Sequence, residues 1–408
     1  MKPSMKECVL WNAAGNIIYL AAQWIVTIIV TRATGYVDAG ILSIAMSLSA
    51  TFQTIAMFGI RNFQVSDVNS KYSDTTYVNF RTICCSASLI SCMAVALIAQ
   101  YTIGQCVAIL LFMLFRLAES YSDVLHGIAQ KNNRLDIAGK AFTVKAIIST
   151  GLFFAGYFST MNLNVGLLLM AISSWLTTLF YDFVVIRKIS DFRLFEPIKN
   201  SLPLFKEAWP LCTYLFLYSG ISTMPKLILE KLCDNVLLGA YSSIFAPALL
   251  IQAATGYIYA PFATSFAMLR KDNNKRGFIG LMLKLIFAIL LIGLFIFIAS
   301  IFLGEFALSI IFGETIAEYT YLLTPILIAT VCMSIFGFLC MLEVIIRDFW
   351  GLIASCLIGF SSVVALSFVF IPYMKADGAS LALIISTLVA ILIMLIHILI
   401  KTRKGDNE

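Results

Sequence analysis

Apolar runs of about 20 residues recur from one end of this 408-residue chain to the other. Each is long enough to cross a ~30 Å hydrocarbon layer as a helix. Hydrocarbon offers the backbone no hydrogen-bond partner, so a run of this kind has to satisfy its own amides, and a helix does so. Only 12% of the residues are charged and 61% are hydrophobic, which leaves too little charge to cover a soluble domain of this size. The chain therefore reads as an all-α polytopic membrane protein. Its first segment, MKPSMKE, leads straight into a full-length span with no small-residue cleavage site, so span one is expected to be retained.

Twelve spans are expected, at about 10–32, 36–60, 79–100, 103–125, 138–160, 163–186, 209–231, 236–264, 278–303, 318–343, 348–371 and 376–400. Lysine and arginine set the orientation. With the amino terminus inside, 21 of the 28 basic residues fall on the cytoplasmic side, beginning with Lys2 and Lys6. Only Arg32, Lys231 and Lys375 fall opposite, where the 304–318 segment is acidic. Both termini are then cytoplasmic in a plasma (inner) membrane. The net charge of +6 is a topology signal and implies no nucleic-acid partner.

The longest polar stretch, 187–209, lies at the midpoint. It divides the chain into an amino-terminal six-helix lobe (1–190), a linker (191–208) and a carboxy-terminal six-helix lobe (209–408). At an offset of 199 residues, Gly40, Ser43, Gln53, Phe63 and Ser66 meet Gly239, Ser242, Gln252, Phe262 and Ser265. An even number of spans per half preserves orientation, as parallel repeats require. Two pseudo-symmetric lobes around a central cavity are the expected architecture.

Ionisable groups inside spans carry the functional signal. The stretch RLAESYSDVLHGIAQ, 116–130, continues an apolar helix yet brings Arg116, Glu119, Asp123 and His126. At 100° per residue these and Gln130 share an arc of roughly 80°. A charge at mid-membrane costs at least ~2.5–3.5 kcal/mol, so the face should meet the bundle interior or water. Arg116 and Glu119 are i,i+3, and Glu119 and Asp123 are i,i+4, within mutual reach. A structural ion network and a substrate passage both fit. Asp123 and His126, near the cytoplasmic end, fit anchoring better. Lys145 lies in span five, and Lys226 and Glu230 lie i,i+4 in span seven beside Pro225, which can open the helix ladder to a cavity. Asn12, Asn16, Tyr19, Gln23 and Thr27 form a polar stripe on span one, fit either to bond neighbouring helices or to line a cavity. Asp182, Lys284, Glu343 and His397 read as interfacial anchors.

Several classes are disfavoured. No GxxxxGK[ST] is present for ATP hydrolysis. The loop after span two lacks the major-facilitator pattern, and no outer segment is large enough for a glycan polymerase or ligase site. Ten scattered cysteines without a CxxC pair and only two histidines argue against a disulfide framework or a metal site.

Several segments resemble the polysaccharide-transporter (Wzx-type flippase) branch of the MOP superfamily. FGIRNFQVSDVNSKYS at 58–73 resembles its loop after span two. AESYSDVLHGIAQKNNRLD at 118–136 matches its ExxSDxxxGxxQKxxRxD stretch at Glu119, Ser122, Asp123, Gly127, Gln130, Lys131, Arg134 and Asp136. IFGETIAEYTYLLTPIL (311–327) and IPYMKADGASLALIIS (371–386) resemble the segments before spans ten and twelve. His126 and Leu125 stand where the family more often has an aromatic-rich pattern, and the chain is short for it, departures that bear on glycan specificity. The resemblance implies a MATE-like V of two lobes about a cationic cavity, and a flippase for isoprenoid-pyrophosphate-linked oligosaccharides in O-antigen or capsule synthesis.

Under that implication Arg116 and Lys145, with Lys226 in the second lobe, compensate the pyrophosphate, since arginine offers phosphate a planar fork and lysine a point charge. Asn16, Gln23 and Gln53 suit the glycan. Glu119, Asp123 and Glu230 balance charge or carry a coupling proton or sodium ion, and no other cofactor is expected. Partners would be the lipid-linked oligosaccharide, membrane lipids, and the polysaccharide polymerase and glycosyltransferases of the same process. A MATE-type cation-coupled multidrug antiporter is the competing reading, because it shares the lobes and the acidic sites.

Overall fold

The structure, a computed structural model, describes residues 4–67 and 71–404. Lys2 and residues 68–70 of the loop quoted above lie outside the described residues. Every expected span has its helix, and the described residues contain no strand. In the first half these are α1 (Met5–Thr34), α2 (Tyr36–Met57), the short α3 (Ile60–Ser66), α4 (Asp74–Ile98), α5 (Ile103–Lys131), α6 (Leu135–Thr160) and α7 (Leu163–Thr177). The last continues through a π-helical turn, Thr178–Phe183, into α8 (Val184–Arg187). The second half has α9 (Leu202–Leu232), α10 (Asn235–Tyr259), α11 (Ala263–Lys271), α12 (Lys275–Phe312), α13 (Leu323–Ile346) and α14 (Phe349–Lys404).

Local chemistry sets the boundaries. Ser73 caps α4 by accepting from the Thr76 amide at 3.0 Å. Thr102 and Gln105 cap α5 reciprocally, at 3.3 and 3.0 Å, which satisfies amides that have no helical acceptor. α14 is two spans, because Lys375 has φ 49° and ψ −123° three residues after Pro372. The second limb folds back so tightly that a Cβ on Gly378 would lie 2.6 Å from the Phe370 carbonyl oxygen. Only glycine fits there, which gives the IPYMKADGAS segment its physical meaning. α9 continues as one helix through Pro225, although proline has no N–H to give to the ladder at that turn. α12 continues to Phe312, nine residues past its expected end, with a mean hydropathy of 3.1 in its most apolar window. Phe287, Phe295 and Phe302 on α12 are exposed, as on a surface whose solvent is hydrocarbon.

The chain forms two compact units. One comprises the chain through Val30 and Ile41–Phe216; the other comprises Thr31–Gly40 and the chain from Leu217 onward. In the first unit, α1 and α6 approach through Gly15 and Gly139. A Cβ on Gly15 would lie 2.1 Å from the Gly139 carbonyl oxygen, and one on Gly139 would lie 2.0 Å from that of Trp11. Small residues allow this backbone contact where no hydrophobic drive between helices exists. Gly139→Ala is expected to lower the melting temperature measurably, at a cost of about 1–3 kcal/mol for overpacking. A melting curve superposing on the parent would show that the helices give way freely.

The segment between the halves is docked onto the first unit. Phe192, Leu204 and Ala208 are buried in one cluster with Phe58, Tyr77, Phe80 and Val124. Asn79 Nδ2 donates to the Glu196 carbonyl at 3.0 Å and to Ser201 Oγ at 3.2 Å. Near it, Asp67 accepts from the Lys71 and Tyr72 amides and the Tyr77 hydroxyl. Burial alone would raise this carboxyl, but those donors outweigh it and hold it below its ordinary value. Their contribution is present above the ordinary aspartate pKa and is lost as pH falls through the lowered one.

The second unit contains a glycine pair from the internal repeat. A Cβ on Gly40 would lie 2.1 Å from the Asn235 carbonyl oxygen, and one on Gly239 would lie 2.1 Å from that of Tyr36. Residues matched by sequence at an offset of 199 thus meet across one backbone contact.

Candidate functional site

The polar face of α5 is turned into the first unit, and its residues divide into three linked groups. At the deepest level, Arg116 Nη1 donates to Glu119 Oε2 at 2.8 Å, the i,i+3 pair expected from spacing. Gln53, from α2, donates to the same oxygen at 3.0 Å and to the Arg116 carbonyl at 3.3 Å. The guanidinium lies over Phe112 and Phe115, 5.2 and 5.9 Å from the ring centroids. Arg116 Nε and Glu119 Oε1 are buried without a hydrogen-bond partner. A donor and an acceptor are therefore both left over in this group.

One turn further along, Asp123 is held between two arginines. Arg61 Nη1 donates to Oδ1 and Arg81 Nη2 to Oδ2, both at 2.8 Å. Arg81 is fully enclosed and also donates to the Ala56 carbonyl at 2.7 Å. Arg61 is partly exposed and also reaches Gln130 Oε1. An open cleft of about 350 Å³, entirely within the first unit, is lined by Gln53, Thr54, Arg61, Asp123 and Leu215. The expected anchoring of Asp123 at an interface thus gives way to a double ion pair beside a cleft. Arg61 lies within the FGIRNFQVSDVNSKYS segment quoted above, and Arg81 lies in α4; neither stands out in the sequence as a partner of Asp123.

The third group encloses Lys145. Its ammonium donates to Ser122 Oγ at 2.6 Å and to Thr178 Oγ1 at 3.0 Å. Ser122 in turn donates to Asp182 Oδ2 at 2.6 Å, and His126 Nε2 lies 3.0 Å from Asp182 Oδ1. Lys145, His126 and Asp182 are all buried, so Asp182 is no interfacial anchor: it is the enclosed counter-charge of this group. The π turn places it there, because Thr178 and Asp182 both present inward from one wide turn, a device found at functional positions in helices.

The remaining candidates are placed separately. Asn16 Nδ2 donates to the Asn12 carbonyl at 2.7 Å, and Gln23 Nε2 to the Tyr19 hydroxyl at 3.3 Å, so these two bond along α1 itself, while Thr27 Oγ1 donates to Met46 Sδ on α2 at 3.9 Å. In the second unit, Lys226 Nζ sits 4.1 Å from the centroid of the Phe245 ring, and Glu230 approaches the Lys231 ammonium at 3.9 Å. Gln252, the repeat counterpart of Gln53, donates to the Tyr218 hydroxyl at 2.8 Å. The same position thus serves an ionic group in one unit and a neutral one in the other.

Comparisons with known proteins bear on the whole chain. No family model matches the sequence. A curated relative, the capsular polysaccharide biosynthesis protein CapF of Staphylococcus aureus, is 28% identical over 394 residues, covering 92% of this chain and 95% of that protein. Among solved structures, the lipid II flippase MurJ in an inward closed conformation matches with a TM-score of 0.72 at 13% identity, over 95% of this chain and 87% of that one. An inward-facing multidrug resistance MATE transporter of the MOP superfamily matches with a TM-score of 0.63 at 12% identity, over 100% and 97%. At these identities the structural likeness shows the fold, which this chain shares with MurJ and the MATE transporter over nearly its whole length. CapF is named for capsular polysaccharide biosynthesis, both structural neighbours are named as membrane transport proteins, and the helices of this chain are long and apolar enough for several membrane crossings.

Proposed function

We propose that this protein is a polysaccharide-transporter-type member of the MOP superfamily and moves an isoprenoid-pyrophosphate-linked oligosaccharide from the cytoplasmic to the outer leaflet of the plasma membrane by alternating access. The carrying observation is the charge count of the α5 site. Among the described residues, Arg61, Arg81, Arg116 and Lys145 are set against Glu119, Asp123 and Asp182. Four cations against three carboxylates leave an excess positive charge in a place where charge is expensive, which favours an anionic headgroup over a cationic drug. Arg61 and Arg116, the two partly exposed cations, meet the phosphates, while Lys145 sets the field from behind. The isoprenoid tail stays in lipid.

The relative named for capsular polysaccharide biosynthesis supports a surface polymer as the end product, with glycosyltransferases acting before this step and a polymerase after it. Both termini are then cytoplasmic. Glu119, with one carboxylate oxygen unpartnered, is the group for a coupling proton or sodium ion. The test is depletion of the protein followed by leaflet-resolved labelling of the lipid-linked oligosaccharide. Accumulation on the cytoplasmic leaflet is expected. An unchanged distribution, accompanied by altered drug susceptibility, would replace this reading with a MATE-type antiporter.

A further inference from the structure

In the second unit, away from the α5 site, three metal-ligating side chains converge where α13 gives way to α14. Glu343, in the last turn of α13, is fully enclosed, and neither of its carboxylate oxygens has a hydrogen-bond partner. Asp348 stands in the two-residue link between the helices. Its Oδ1 accepts from the Gly351 amide at 3.1 Å and caps α14. Its Oδ2 is buried without a hydrogen-bond partner, 3.6 Å from His397 Nδ1. One ligand atom from each of Glu343, Asp348 and His397 lies within 4.8 Å of the others.

The backbone beside the donor atoms carries no side chain that could obstruct them. A Cβ on Gly351 would lie 2.6 Å from His397 Nδ1 and 2.9 Å from Asp348 Oδ2, so any larger residue would intrude on the donor atoms. Arg270 and Lys401 are within electrostatic reach of Glu343, but neither donates a hydrogen bond to it. A buried carboxylate without a donor leaves its desolvation cost unmet. Protonating Glu343 would remove one of the two negative charges and leave that of Asp348 in place. A divalent cation satisfies both carboxylates at once and neutralises their mutual repulsion.

We propose that Glu343, Asp348 and His397 form a binding site for one divalent transition-metal cation, with Zn²⁺ as the representative ion. The imidazole decides the class: two carboxylate oxygens and one nitrogen suit Zn²⁺, whereas Mg²⁺ and Ca²⁺ call for oxygen ligands throughout. Three protein ligands leave a fourth position for water. The bound ion ties the end of α13 to the final turns of α14, which would otherwise meet through two carboxylates and a half-exposed histidine. A count of cysteines and histidines argued against any metal site in this chain. It missed this one because carboxylates supply two ligands, and because 49 residues separate Asp348 from His397.

The experiment uses the full-length protein, purified without a histidine tag, stripped with chelator, and titrated calorimetrically with Zn²⁺. One equivalent should bind, and Zn²⁺ should raise the melting temperature. Glu343→Gln and His397→Ala should each weaken binding at least tenfold and abolish the thermal shift. His397 is on the exposed side of the site, so its alanine variant remains folded and keeps the test decisive if Glu343→Gln does not fold. Failure of the parent protein to bind Zn²⁺, unchanged affinity in His397→Ala, or a response to Mg²⁺ or Ca²⁺ alone would each overturn the proposal. None of these readouts involves transport, so the site stands or falls apart from the assigned substrate.

Discussion

Replacing Arg116 by alanine is expected to reduce surface-polymer export at least about tenfold while the protein remains in the membrane at near-normal levels. A charge-assisted hydrogen bond contributes about 1.5–3 kcal/mol, and about 1.4 kcal/mol is tenfold in an equilibrium constant. Arg116 is partly exposed, stacked on two phenylalanines and paired to Glu119, with Nε left over. Removing it leaves Glu119 buried with only Gln53 donating to it, so some loss of stability must be separated from loss of transport. The double variant Arg116→Ala/Glu119→Gln provides that separation, because the orphaned charge is gone. Its melting temperature should recover while export stays below that of Glu119→Gln alone, the control for the coupling role of Glu119. Arg116→Lys, which keeps the charge without the planar fork, should fall between. Normal export from the double variant would remove Arg116 from the substrate path.

The second large effect concerns folding. Asp123→Asn leaves Arg61 and the fully enclosed Arg81 with no carboxylate between them. Breaking a buried ion pair by removing one partner costs about 3–5 kcal/mol, since the remaining charge keeps its desolvation penalty. The expected outcome is a sharp fall in folded, monodisperse protein and in melting temperature. Adding Arg81→Met should restore part of the loss, because the unpaired cation is removed as well, and the recovered fraction measures the coupling. Asp123→Asn protein that melts within about 1 °C of the parent would contradict the assignment, since a loss on the scale of a buried ion pair moves the melting temperature by several degrees.

The helical plan was legible because apolar runs answer directly to hydrocarbon thickness. The α5 face was legible for a similar reason: charges at helical spacing inside an apolar run have few places to point. What spacing could not supply was tertiary pairing. Asp123 meets Arg61 and Arg81 across 62 and 42 residues, and each of those arginines looks, taken alone, like an ordinary basic residue near a membrane surface. The polar stripe on α1 shows the opposite failure. Asn16 and Gln23 share a face, as the period requires, yet they bond along their own helix. Asp182 and Glu343 were read as anchors from their position near span ends. Both are fully enclosed, because neighbouring helices extend past them.

The π turn at Thr178–Phe183 makes chain length at that point as consequential as residue identity. Such a turn accommodates one residue more than the α-helix it interrupts. Deleting a single residue there would close the helix into regular α geometry while the helix beyond keeps nearly its present facing, because the wide turn is what absorbs the extra residue. Thr178 and Asp182 would then stand three residues apart instead of four and meet Lys145 at a different angle. Homologous chains with one residue fewer between Ser174 and Phe183 would therefore balance their lysine in a different geometry. In aligning them, a gap at this turn carries more information than a substitution.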